Sequence, residues 1–278
     1  MNRGETVDLS QKKLFLLDLD GTIYLEESLL PGAAEFLSWT RETGCAVRYL
    51  TNNSSRGVEA GLEKMRRLGI PARREEFLTA VEATAYYLHT RRKPSDVYYA
   101  VGTDSFCRQL REAGFDLRQT PDRDVTAVLC AFDTELSYQK VEDACRLLAR
   151  GADFLATNPD LACPTLFGFI PDCGSICQLL VNACGRRPVY IGKPDPTMIQ
   201  MAWRQTGYGP AETLMVGDRL YTDIACGVNA GTDTDGRSWR ASAMPTGVFM
   251  TSPPCRRIPC LRSAGRRRRD TARSWTCT

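Results

Sequence analysis

Two aspartates two residues apart, Asp18 and Asp20, stand where an apolar run meets a glycine. The stretch reads Leu14-Phe15-Leu16-Leu17-Asp18-Leu19-Asp20-Gly21-Thr22. In an extended chain, residues i and i+2 point to one side, so both carboxylates would share one mouth. Anions this close repel, and the pair asks for a cation or a shared proton. A solvated strand end before a turn would look the same. Three further polar clusters favour chemistry: Thr51-Asn52-Asn53-Ser54-Ser55, Gly192-Lys193-Pro194 and Gly217-Asp218-Arg219-Leu220-Tyr221-Thr222-Asp223. Each follows or flanks an apolar run. Carboxylates, a lysine and a hydroxyl–amide loop, each delivered by a strand end in this order, make a stronger signal than any one cluster.

These clusters need strands to carry them. Leu14–Leu17 is a continuous apolar run, as in a strand buried on both faces. Pro31 suits the first turn of a helix reaching about Glu42, with Gly44 as its stop. Ala46 to Leu50 reads as the next strand and runs straight into Thr51. A helix from Arg56 to Leu68 follows, closed by Gly69 and Pro71. Thr79 and Glu82 form a capping-box pattern that opens another helix. A second series begins at Asp96, with strands over 96–101, 126–131 and 153–157 and helices over 104–113 and 137–149. Residues 161–174, rich in Pro, Gly and Cys, read as a loop, and 175–183 as a helix. Past Lys193 come a helix to about Thr206, a strand over Thr213–Val216 and a helix to Val228. Strands alternating with helices predict an α/β fold, a doubly wound, mainly parallel, Rossmann-like sheet. There are units enough for two such layers. The expected core is 1–81 with 188–234, and 82–187 is an inserted α/β cap domain.

The totals bound the class. A chain of 278 residues with 43% apolar content is an ordinary globular protein of one or two domains. Residues 1–11 are polar, and no run approaches the ~18 apolar residues of a membrane span. The expected location is the cytoplasm, and no membrane is an expected partner. The twelve cysteines are irregularly spaced and read as reduced core thiols. Cys173 and Cys177, with Cys163 and Cys184 nearby, lack the paired short spacings of a zinc ribbon. The single histidine, His89, is remote and reads as a helix-surface residue. The net charge of +3 conceals an asymmetry, because residues 235–278 carry ten arginines, no lysine and two acids, a net of +8. The other 234 residues therefore hold a net of −5.

Taken in order, the four clusters resemble the haloacid dehalogenase superfamily of aspartate-nucleophile phosphatases. Asp18-Leu19-Asp20-Gly21-Thr22-Ile23 is similar to its first motif and Thr51-Asn52-Asn53-Ser54 to its second. Gly192-Lys193-Pro194 is similar to the third, and Gly217 to Asp223 to the fourth. The last three motifs and the long insertion resemble the type IIA, nitrophenylphosphatase-like or NagD-like group. So does Ala156-Thr157-Asn158-Pro159-Asp160 within the insertion. The likeness covers roughly 12–234.

The resemblance implies a C2-type cap and Mg²⁺-dependent hydrolysis of small phosphomonoesters through an aspartyl-phosphate. Asp18 would be the nucleophile, and Asp20 the general acid and then the general base. Lys193 would offset the charge of Asp18 and the phosphoryl group. The Asp18 and Asp218 carboxylates and the Asp20 carbonyl would hold Mg²⁺, with Asp223 orienting them from behind. Thr51 and Asn52, with Asn53 beside them, would hold phosphoryl oxygens at a helix N-terminus. Asn158 would help select the leaving group from the cap's inner face. The physics agrees, since carboxylates repel a phosphate dianion unless a hard cation bridges them. An acid at position 20 is implied to favour a phosphatase or a phosphomutase over a dehalogenase. A large closing cap favours a small soluble phosphorylated metabolite as partner.

From Asp235 the rhythm stops, and Arg, Ser, Pro and Cys dominate to Arg266-Arg267-Arg268-Arg269. The resemblance predicts an edge strand after Gly231, yet the likeness fades near Thr234. We read 235–278 as an atypical tail, frameshifted or disordered. Codons allowed for Asp235 to Trp239, moved by one base, can encode Thr-Val-Val-Leu, which suits the missing strand. Without that strand the sheet edge would stay unpaired. A basic arm for nucleic acid is the alternative. It lacks aromatic interleaving and any recognisable module, so no specific nucleic acid is expected. The rival functions are a phosphomutase, or a destabilised, inactive relative with a basic tail. A homodimer is compatible with the resemblance.

Overall fold

Strand β1 (Leu14–Leu17) buries all four of its side chains. Phe15 and Leu17 pack with Phe36 and Leu37, whereas Leu14 and Leu16 pack with Met198, Ile199 and Ala202. Both faces of the strand are covered, so its sequence shows no alternation. The computed structural model describes residues 9–236, all within one compact unit. Of the tail expected over 235–278, Asp235 ends a strand, and everything from 237 on, with the frameshift expected there, lies outside the described residues.

After β1 come a small hairpin, β2 (Tyr24–Leu25) and β3 (Ser28–Leu29), then α1 (Ala33–Glu42) and β4 (Ala46–Thr51). Next are α2 (Val58–Arg67), β5 (Phe77–Thr79) and α3 (Ala80–Arg91), whose N-terminus carries the Thr79–Glu82 capping box. The insertion opens with β6 (Val97–Val101), α4 (Asp104–Glu112), β7 (Asp116–Arg118), β8 (Ala127–Cys130) and α5 (Tyr138–Ala149). It continues with β9 (Asp153–Ala156), a hairpin of β10 (Ala162–Thr165) and β11 (Gly168–Pro171), α6 (Cys173–Cys184) and β12 (Val189–Tyr190). The chain returns through α7 (Thr197–Thr206), β13 (Thr213–Val216), α8 (Ala225–Ala230) and β14 (Asp233–Asp235).

The first sheet has the order β14-β13-β1-β4-β5, and every pairing is parallel. Leu17 registers with Val216 on one side and Tyr49 on the other. The strand order reverses at β1. The chain moves one way to β4 and β5 and later returns on the other side as β13. Open α/β sheets bind ligands at the carboxyl ends of strands at such a switch point. Asp18, Asn52 and Gly217 each leave the sheet there. The second sheet, β12-β9-β8-β6-β7, is also parallel throughout. The architecture is therefore α/β, with two parallel layers.

Several local readings change. The second sheet reaches Tyr190, past the boundary expected at 187. Residues 161–174 contain an antiparallel hairpin rather than only loop, in which Gly168 at φ 141° adopts a conformation that L side chains avoid. Helix α2 begins at Val58, two residues later than expected, with Gly57 as its N-cap. The edge strand expected to be missing after Gly231 is present: β14 pairs with β13, Thr234 opposite Met215. No helix among the described residues is long and apolar enough to cross a membrane.

Candidate active site

Asp18 leaves β1 into a buried ionic cluster. Its Oδ1 lies 2.6 Å from Lys193 Nζ, and Thr22 Oγ1 donates to its Oδ2 at 3.4 Å. Lys193, only 1% exposed, also meets Asp223 Oδ1 at 2.7 Å and donates to the Leu50 carbonyl at 2.9 Å. These three partners match the three donors of an ammonium group. Burial alone would lower the Lys193 pKa, but Asp18 and Asp223 outweigh it and hold the ammonium charged. Burial, and then Asp223, push the Asp18 carboxyl well above the usual range despite Lys193. Asp218 is raised too, first by burial and then by Asp223.

The local backbone explains this closeness. Asp223 sits in a π-helical turn over Leu220–Ile224, just ahead of α8. Its Oδ2 accepts from the Arg219 N–H at 3.0 Å, so both carboxylate oxygens are engaged. Gly21 adopts φ 96°, and a Cβ there would lie 2.6 Å from Asp218 Oδ2. Only glycine lets the two loops approach this far.

The donor set fits a hard divalent cation. Oxygens of Asp18, Asp218 and Asp223 lie within 4.8 Å of one another. Asp218 Oδ1 is buried and has no hydrogen-bond partner. Three carboxylates against one ammonium leave an excess of negative charge, which burial penalises. An oxygen-liking cation would relieve both the orphaned atom and the charge.

The loop after β4 is held from behind. Asn52 Oδ1 accepts from the Lys193 N–H at 3.0 Å, and Asn52 Nδ2 donates to Asp160 Oδ2 at 2.8 Å. Asn53 Oδ1 accepts from the N–H and hydroxyl of Ser55, closing an Asx turn. The Asn53 N–H donates to Thr51 Oγ1 at 3.1 Å, which leaves the Thr51 hydroxyl proton free to donate elsewhere. Asn53 thus shapes the loop. Because α2 starts only at Val58, Thr51 and Asn52 are not at a helix N-terminus. Any phosphate there meets loop groups, and Thr51 does not cap α2.

Asn158 is fully buried, and its Nδ2 donates to the Asn52 carbonyl at 2.6 Å. Its side chain supports the loop instead of facing a leaving group. Asp20 is half-buried, with its Oδ1 3.7 Å from Lys64 Nζ, and Lys64 stacks 3.6 Å over the Tyr24 ring. Asp18, Asp20, Thr51, Asn52, Asn53, Lys193 and Asp223 line one narrow inner cleft.

Sequence reasoning passed over the links between insertion and core. Arg219 Nη1 pairs with Asp160 Oδ1 at 2.7 Å, and Arg219 Nη2 donates to the Ala162 carbonyl at 3.2 Å. Ser54 Oγ shares a hydrogen bond with Thr157 Oγ1 at 3.1 Å and accepts from the Phe132 N–H at 2.9 Å. Thr103 Oγ1 donates to the Ser55 carbonyl at 2.9 Å. Asp160 and Arg219 are charged residues inside quoted motifs, which was the available signal. Asp160→Ala is expected to cost roughly 3 kcal/mol, since it leaves Arg219 without its carboxylate and removes one acceptor of Asn52 Nδ2. Urea unfolding of the variant beside the native chain measures that loss.

A model described as haloacid dehalogenase-like hydrolase matches residues 15–116, and a second, HAD-hydrolase-like, matches 190–249. The second match runs beyond the limit near Thr234 read from the motifs. An acid sugar phosphatase of Staphylococcus aureus is 35% identical over 226 residues, 81% of this chain and 86% of that one. The 5'-nucleotidase YutF of Bacillus subtilis is 35% identical over 222 residues, 80% of this chain and 85% of that one. Among solved structures, a 4-nitrophenylphosphatase from Thermotoga maritima superposes with a TM-score of 0.76 at 35% identity. That match covers 81% of this chain and 85% of that one. NagD from E. coli K-12 gives a TM-score of 0.72 at 32% identity, covering 80% and 86%.

Proposed function

This chain belongs to the haloacid dehalogenase-like hydrolases, and from that premise we propose that it is a Mg²⁺-dependent phosphatase of small phosphomonoesters. The observation that carries the proposal is the buried Asp18–Lys193–Asp223 cluster with the unpartnered Asp218 oxygen beside it. The Asp18 and Asp218 carboxylates and the Asp20 carbonyl would hold Mg²⁺. When bound, it would neutralise the carboxylates and the phosphoryl oxygens that they would otherwise repel.

Asp18 attacks phosphorus in line. The bond from phosphorus to the leaving oxygen breaks as the bond to the Asp18 carboxylate forms. Asp20 gives its proton to the leaving oxygen. It then takes one from the water that hydrolyses the aspartyl-phosphate. Lys193 holds the Asp18 carboxylate in place and offsets the charge of the phosphoryl group. The free Thr51 hydroxyl proton and the Asn52 N–H would hold the phosphoryl oxygens.

A second cleft supports a small leaving group. It has a volume of about 480 Å³ and shares Asp20, Thr51, Asn53 and Cys163 with the inner cleft. Tyr24, Arg56, Lys64 and Phe132 line it further out. That volume suits a small metabolite, held beside the proton donor. The test is release of nitrophenol from 4-nitrophenyl phosphate by the purified chain. Turnover that requires Mg²⁺ and stops with chelator supports the proposal. A soluble, cooperatively melting protein that turns over neither this ester nor a panel of sugar and nucleoside phosphates overturns it.

A further inference from the structure

The inserted domain holds three cysteines that this chemistry does not use. Cys130 ends β8, and Cys173 and Cys177 lie on the first two turns of α6. Four residues apart on a helix, the last two share a face. All three side chains are fully buried. Cys173 Sγ and Cys177 Sγ are 3.9 Å apart, and the three sulfurs all lie within 4.8 Å of one another. Cys163 and Cys184, the neighbours suggested by the sequence, do not join them.

The spacing fits a metal. Thiolate–metal bonds of ~2.3 Å set the sulfurs of a trigonal centre ~4.0 Å apart and those of a tetrahedral one ~3.8 Å apart. A disulfide needs ~2.05 Å, so the observed separation is not that of a bonded pair. Among the described residues no His, Asp, Glu or further Cys completes the group. Structural zinc almost always takes four ligands. Three sulfurs with no imidazole or carboxylate beside them suit a soft ion that accepts three-coordination. Charge points the same way. Three thiolates around a divalent ion leave one negative charge, as do two thiolates and a thiol around copper(I). Cys173 is the first residue of α6, a helix of 12 residues, where the helix dipole favours a thiolate.

We infer that Cys130, Cys173 and Cys177 form a three-sulfur site for a soft d¹⁰ metal ion, buried in the inserted domain and separate from the catalytic carboxylates. Binding would release the protons that the thiols still hold, one more for cadmium(II) than for copper(I). Loading would tie α6 to β8 and so stabilise the inserted domain.

The full chain, reduced and metal-free, is titrated with cadmium(II) in the presence of excess Mg²⁺. The expected result is one equivalent bound, with an ultraviolet thiolate-to-metal charge-transfer band, a raised melting temperature and release of thiol protons. A parallel copper(I) titration should release one proton fewer. The Cys130→Ala/Cys177→Ala variant, whose folding is checked by retained phosphatase activity, should lose both the band and the thermal shift. X-ray absorption of the cadmium-loaded native chain should show three sulfur neighbours, a readout that does not depend on any variant folding. No one-to-one band, a band equally strong in the variant, or an oxygen-dominated cadmium shell would overturn the site.

Discussion

Asp18→Asn is expected to lower turnover of 4-nitrophenyl phosphate on the order of 10⁴-fold or more, with the fold intact. The amide keeps the shape of the side chain but cannot attack phosphorus. Lys193 retains Asp223 at 2.7 Å and the Leu50 carbonyl at 2.9 Å, so the cluster does not collapse. Asp18 is buried with its carboxyl pushed up by that burial and by Asp223. Removing its charge therefore relieves a penalty while it breaks one ion pair, and the melting temperature should hold. Loss of turnover with an unchanged melt separates a chemical role from a structural one. A variant that melts normally and still turns over within tenfold of the native chain would remove Asp18 from the mechanism.

Lys193→Met should damage both properties. Among the described residues the ammonium is the only cation paired with Asp18 and Asp223, and the methionine offers neither charge nor donor. Breaking a buried pair this way costs about 3–5 kcal/mol. Loss of a group that offsets developing charge costs ~10²–10³-fold in turnover. The stability loss should depend on pH, with a defined sign. Without Lys193 the folded-state pKa of the Asp18 carboxyl, already raised by burial, rises further above its unfolded value. The folded state then binds more protons than the unfolded state, so stability falls as pH rises through the window between those values. The deficit against the native chain should be small in acid and larger near neutrality. Urea unfolding at both pH values, with chelator present, measures it. An equal deficit at both would mean that Lys193 acts through packing alone.

The parts legible in the sequence were those written locally. A four-residue apolar run ending in Asp-x-Asp-Gly specifies a buried strand and two carboxylates at its end, and β1 is such a strand. Gly192-Lys193 and Gly217-Asp218 read the same way, because each follows an apolar segment directly. The Thr79–Glu82 capping box was equally local. What stayed hidden depends on residues distant in the chain. Ser54 with Thr157 and Asn52 with Asp160 meet only because the insertion folds back over the loop after β4, and Cys130 with Cys173 only because α6 packs on β8. No periodicity encodes those pairs. The start of α2 was misplaced for a related reason. Ser54 and Ser55 are drawn into contacts with the insertion and the Asx turn, so the helix begins only after Gly57. The β10–β11 hairpin was obscured by its Pro, Gly and Cys content, which reads as loop until the pairing partner is known. Asn158 shows the limit for polar residues: its type suggested a ligand contact, and its burial assigns it to supporting Asn52.

The central claim is that Asp18 carries the phosphoryl group. The most direct measurement is an acid quench of the Asp20→Asn variant during reaction with a phosphate ester and Mg²⁺, followed by peptide mass mapping. Without the Asp20 base, hydrolysis of the intermediate slows and it accumulates. The account predicts a phosphoryl group on the peptide bearing Asp18, absent when Asp18 is also changed to Asn. Continued release of the leaving group with no phosphoryl on that peptide at any quench time would contradict it.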